Sequence, residues 1–124
     1  MNDKKMTWAG RAVTALALFP FTMGVIMTFT KNPQALEGMV KTGWPASSSN
    51  TIMTLMLGSI VIYLIPSTSV LGAVLLTGYL GGAVATHLRI GEAPTAAVIV
   101  AILVWLGLWL REPRLRALLP IRKI

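Results

Sequence analysis

A single histidine, His87, stands in the chain, and the residues leading up to it are those whose types and spacing could do chemistry. The stretch "TGYLGGAVATHLRIGE", Thr77 to Glu92, brings together the Tyr79 phenol, the Thr86 hydroxyl, the His87 imidazole, and the charges of Arg89 and Glu92. An imidazole can donate, accept or relay a proton, and hydroxyls can orient a bound molecule. At 100° per residue on a helix, Gly72, Gly78, Tyr79, Gly82, Ala83, Thr86 and His87 fall on one half. Val70, Val74, Val84 and Leu88 fall on the other, with Thr77 and Gly81. Two uses of the first half are open. It is a packing face, with Gly78 and Gly82 as a GxxxG pair that lets another helix approach and Tyr79 bonded to a neighbour's carbonyl. Alternatively, Tyr79, Thr86 and His87, with Arg89 at the end, line a small cavity for a ligand or proton. Arg89 and Glu92 are expected to form a surface pair.

The elements that position these groups are apolar spans. Of 124 residues, 55% are hydrophobic and 12% charged, and the mean hydropathy is +0.72. A soluble domain of this size needs a more charged surface. The charges cluster toward the termini, with long neutral stretches between them. The net charge of +7 therefore points to lipid headgroups flanking the spans, not to nucleic acid. With no cysteine, disulfides, thiolate metal sites and iron–sulfur clusters are excluded, and no metal site is expected.

Four stretches have nearly the ~20-residue apolar length that a bilayer core requires: about 8–30, 51–65, 69–88 and 95–110. The predicted fold is an all-α integral membrane four-helix bundle in one domain, 1–124. The long first connection holds "NPQALEGMVKTG", in which Asn32 caps, Pro33 starts and Gly38 or Gly43 ends a short amphipathic helix. Pro20 is expected to bend the first span.

Four spans put both termini on one side. That side carries Lys4, Lys5, Arg11, Arg111, Arg114, Arg116, Arg122 and Lys123, against Lys31, Lys41 and Arg89 on the other. The excess of Lys and Arg predicts cytoplasmic termini, with Arg11, Arg111, Arg114 and Arg116 at the cytoplasmic interface and His87 at the outer rim. Trp8, Trp105 and Trp109 are expected to anchor the inner interface and Trp44 to lie near the outer one.

From Tyr63 to Glu92, "YLIPSTSVLGAVLLTGYLGGAVATHLRIGE", the chain resembles the DoxX-like membrane proteins. The resemblance rests on Pro66 after a span, Gly72-Ala73, the run Thr77 to Ala83, Thr86-His87 and Arg89. Trp8, Arg11, Gly43-Trp44-Pro45 and the closing "GLWLREPRLRALLPIR" agree with it. It implies a four-span bundle of the bacterial inner membrane. It also implies kinship with a family named for a small subunit associated with thiosulfate:quinone oxidoreductase, most of whose members have no established activity. Relatives often carry a lysine where Met27 stands, and some carry an acid in the region of Thr54, Leu55 and Met56; this chain lacks both.

Three function classes follow. A structural or accessory subunit, working through lipid, a second copy of itself or a membrane or peripheral redox partner, fits the glycine-rich helix and basic tail. A quinone-contacting accessory subunit needs only an apolar slot and one or two hydrogen-bonding groups, which Tyr79 and His87 supply. A proton-coupled transporter fits least, because the four acids, Asp3, Glu37, Glu92 and Glu112, all fall outside the spans. No catalytic activity of the chain's own is expected.

Overall fold

The computed structural model describes residues 2–124, apart from the side chain of residue 46, and its regular elements among them are all helices. Six α-helices follow in order: α1 (Asp3–Phe29), α2 (Pro33–Lys41), α3 (Ser49–Leu64), α4 (Ser69–Arg89), α5 (Thr95–Arg111) and α6 (Pro113–Leu118). Single 3-10 turns, Ala46–Ser48 and Pro66–Thr68, lead into α3 and α4.

Local chemistry explains most of the boundaries. The Asn2 side chain accepts from the Lys5 amide to start α1, and Asn32 accepts from the amides of Gln34 and Ala35 to start α2, with Pro33 at the first helical position. Gly43 follows α2 at φ +92°, a left-handed conformation that glycine adopts without strain. Helix α1 continues through Pro20 and begins five residues before the apolar stretch. Helix α6, for which the sequence carries no apolar span, is a short helix whose first turn is held by Glu112 accepting from the Arg114 amide.

The four long helices form a ring in which α1 packs on α5 and α3, and α4 on α3 and α5. The core between them contains Ala17, Phe21, Met56, Ile60, Tyr63, Leu76 and Val104, each at most 7% exposed. Outward, the same helices expose large apolar side chains: Phe19 at 67%, Leu55 at 66%, Leu16 at 64% and Ile102 at 60%. An apolar perimeter around a packed apolar core is the surface expected in contact with lipid, where the hydrophobic effect does not penalise it. Helix α1 and the segment Pro66–Arg89 are long and apolar enough to cross a membrane, while α3 and α5 are shorter apolar helices. At roughly 1.5 Å per residue, the 16-residue α3 and 17-residue α5 are about 24–26 Å long, a few ångströms short of a typical bilayer core.

Close helix contact is concentrated at glycines away from the GxxxG pair. A Cβ on Gly72 would run into the Tyr63 backbone, and one on Gly107 would meet Thr14. These are the points where α4 meets α3 and α5 meets α1. Around the Cβ positions of Gly78 and Gly82, by contrast, nothing lies within 4 Å. Within the chain no neighbour packs at Gly78 or Gly82, whereas Gly72 sits in the α3–α4 contact.

The end of the bundle carrying the termini is tied together by Arg116. Its guanidinium donates to the Trp109 carbonyl (3.1 Å) and the Leu110 carbonyl (2.8 Å) at the end of α5, and reaches the Asp3 carboxylate at 3.3 Å. Both terminal segments thus lie at one end, and the first connection and the α4–α5 turn lie at the other.

Candidate functional site

Toward the end of α4 a cavity of about 880 Å³ opens between α1, α3 and α4 beneath α2. Tyr79, Gly82, Ala83, Thr86 and His87 form its α4 wall. Gly24, Met27 and Thr28 contribute from α1, Met39 and Thr42 from α2 and its end, and Met53, Leu55 and Met56 from α3. The glycines give this wall its depth, because a side chain at 78 or 82 would project into the space. Four methionines, Met27, Met39, Met53 and Met56, face it. Their unbranched, polarisable side chains adapt to irregular apolar shapes. Among the described residues no Asp, Glu, Lys or Arg lines the cavity, so its walls favour an uncharged occupant.

Of the four residues singled out from the sequence as a ligand or proton site, three line the cavity and one does not. Tyr79 is partly buried with its ring edge-on to Phe21, centroids 6.0 Å apart. Neither its hydroxyl nor that of Thr86 has a hydrogen-bond partner among the described residues. His87 stands at the mouth. Arg89 turns away and donates to the Thr42 carbonyl just after α2, packing where only a glycine at 43 leaves room.

The expected Arg89–Glu92 pair is replaced by a different arrangement. Glu92 accepts from Lys41 at 2.8 Å and lies 3.0 Å from His87 Nδ1. The reason is geometric: α4 ends at Arg89 and the chain reverses at Gly91, φ +79°. This turn carries Glu92 back over the last helical turn, beside His87 and the end of α2. Lys41, and then His87, hold the Glu92 carboxyl below its ordinary value, and Glu92 in turn raises Lys41. The contacts Lys41–Glu92 and Arg89–Thr42 fasten α2 across the cavity mouth.

At the opposite end the four arginines expected at the cytoplasmic interface do not form one patch. Arg11 is exposed and lies over the Trp8 ring at 4.8 Å, and Arg114 is exposed beside Glu112 at 3.2 Å. Arg116 closes α5 as described. Arg111 turns inward, its guanidinium carbon 5.2 Å from the Tyr63 ring centroid and its Nη2 buried without a hydrogen-bond partner. The cation–aromatic contact offsets part of that burial.

The buried tyrosine hydrogen bond belongs to Tyr63, on which the sequence gives no expectation, and not to Tyr79, where the packing alternative places one. Tyr63, fully buried, donates to the Val104 carbonyl at 2.7 Å and ties α3 to α5. Its signal was the period Met53, Met56, Ile60, Tyr63, a continuous inward stripe of α3.

This arrangement of turn, glycine wall and terminal histidine lies within residues 12–109, the segment matched by the DoxX-like family. The chain belongs to the DoxX-like family. The match takes in most of α1 and all of α2, α3 and α4, so the DoxX-like segment contains the whole cavity wall and the α2 cover. No curated protein and no solved structure matches the chain. Family membership, the apolar perimeter and the two membrane-length helices make this DoxX-like chain a membrane protein.

Proposed function

We propose that this DoxX-like protein is a four-span, multi-pass inner-membrane accessory subunit. In this reading both termini are cytoplasmic, and the protein holds an uncharged, lipid-phase molecule of the quinone type in the cavity behind α2. The observation that carries the reading is the roughly 880 Å³ apolar cavity lined by Tyr79, Thr86 and His87. A cavity of this size suits a drug-sized or ring-headed molecule, with a few polar groups fixing its orientation. Charge supports the sidedness: the end holding the termini has eight Lys and Arg residues, against three at the end holding the cavity.

The protein's part is to bind and present, while electron transfer belongs to a separate redox partner. Proton-coupled transport is not favoured, since no carboxylate lines the cavity among the described residues. A purely structural role is the second reading, supported by the close α1–α5 and α3–α4 contacts. Binding of short-tailed oxidised and reduced quinones to the purified protein separates the two. The ligand reading predicts saturable binding that is weakened in Gly82→Phe, which narrows the cavity at its α4 wall, and in His87→Ala. Equal partitioning of the quinones into empty and protein-loaded micelles would leave only the structural role.

A further inference from the structure

The mouth of the cavity has a directional polar group. A carboxylate offers only lone pairs, so the His87 Nδ1 that lies 3.0 Å from the Glu92 carboxylate carries the proton between them. When the ring is neutral, its other nitrogen, Nε2, is a bare acceptor. Nε2 has no partner among the described residues, and His87 lines the cavity. Glu92 is itself fixed by Lys41 at 2.8 Å, and Arg89 is engaged with Thr42. The charged groups around the imidazole are therefore Glu92, Lys41 and Arg89, and none of them lines the cavity.

We propose that His87 Nε2, oriented by Glu92, is a hydrogen-bond acceptor that selects molecules with an apolar body and a phenol-type hydroxyl over matched molecules without the O–H. Glu92 acts as a positioning residue. This rests on the ligand reading of the cavity and adds to it the polarity of the recognised group. An O–H donor placed at Nε2 makes a hydrogen bond. A carbonyl or ether oxygen there meets another lone pair and leaves both acceptors desolvated and unpaired. Tyr79 lies two helical turns deeper, roughly 12 Å along the axis at 1.5 Å per residue. A single ring held by His87 is therefore clear of the Tyr79 position, and the methionine-lined interior receives its apolar body.

The test compares 4-heptylphenol with its methyl ether on the full-length protein in one detergent, by equilibrium dialysis. Wild type should prefer the phenol by roughly tenfold, one hydrogen bond plus the avoided acceptor clash. In Glu92→Gln the amide can donate to Nδ1 and move the ring proton to Nε2, so the preference should fall toward parity as ether binding improves and phenol binding weakens. His87→Phe should abolish the preference. Because the chain has one histidine, ¹⁵N NMR of histidine-labelled protein reads the tautomer from a single residue, and the Nδ1–H form is expected. Equal binding of phenol and ether by wild type, or an Nε2–H tautomer, overturns the acceptor assignment and leaves the cavity reading intact. Binding of neither compound overturns the cavity reading and this proposal together.

Discussion

Replacing Gly72 by alanine places a methyl group against the Tyr63 backbone, at the closest approach of α4 to α3. The obstructing atoms are main chain, so no flexible side chain can move aside. Either the helices separate locally or the backbone shifts, and overpacking of this kind costs about 1–3 kcal/mol. Alanine recovers about 0.5–1 kcal/mol over glycine in a helix, so a net loss of about 1–2 kcal/mol is expected. The same substitution at Gly82, where no atom lies within 4 Å of the new methyl, should retain only the gain. Gly82→Ala should therefore be as stable as wild type or more stable by up to about 1 kcal/mol. Unfolding of the three proteins by SDS titration in one mixed-micelle system, followed by far-ultraviolet circular dichroism, gives the ordering directly. The expected order is Gly82→Ala, wild type, Gly72→Ala, from most to least stable. If Gly82→Ala is the damaging variant and Gly72→Ala is neutral, the GxxxG pair is a packing surface and does not wall a cavity.

Other consequences are equally concrete. Tyr63→Phe removes the buried hydrogen bond to Val104 and should lower stability by about 1–2 kcal/mol in the same titration. The fastening of α2 should depend on pH. The Glu92 carboxyl is held below its ordinary value, so its contribution is present above the ordinary carboxylate range and is lost as pH falls through the lowered value. Lys41 is raised, so its contribution is present below the ordinary lysine range and is lost as pH climbs past the raised value. Distances between spin labels at Glu37 and Leu88 should thus be shortest between those limits and broaden at both extremes, and a pH-independent distribution would exclude the Lys41–Glu92 tie. Because the chain has no native cysteine, single cysteines at Gln34 and Ser67 report sidedness. An impermeant maleimide added to spheroplasts should label Gln34→Cys and spare Ser67→Cys, and the reverse pattern would invert the proposed orientation.

Hydrophobic run length and capping residues made much of the fold legible before any coordinates. Asn32-Pro33 marked α2 because the asparagine side chain accepts from the first free amides and proline suits the first helical position, and the four apolar runs placed the long helices to within a few residues. The site was half legible. Helical periodicity grouped Tyr79, Thr86 and His87 on one face, but periodicity cannot say whether a face meets a helix or a void. That depends on where α1 and α3 lie, and their positions are set by the contacts at Gly72 and Gly107. Nearness in sequence pairs Glu92 with Arg89. The turn at Gly91 reverses the chain and gives Glu92 to Lys41 and His87, a long-range consequence that charge spacing does not carry. Arg111 looked like an interfacial arginine, and only the position of the Tyr63 ring shows why it turns inward.

The central claim is that the space behind α2 is a binding site and not a packing defect between helices. Native mass spectrometry of the protein released from membranes in mild detergent tests it most directly, with Gly82→Phe as the narrowed-cavity comparison. Wild type is predicted to retain a bound uncharged molecule with an apolar body, distinct from bulk phospholipid, and Gly82→Phe to fold equally well and retain less of it. A wild-type spectrum carrying only phospholipid, the same as that of Gly82→Phe, would contradict the account.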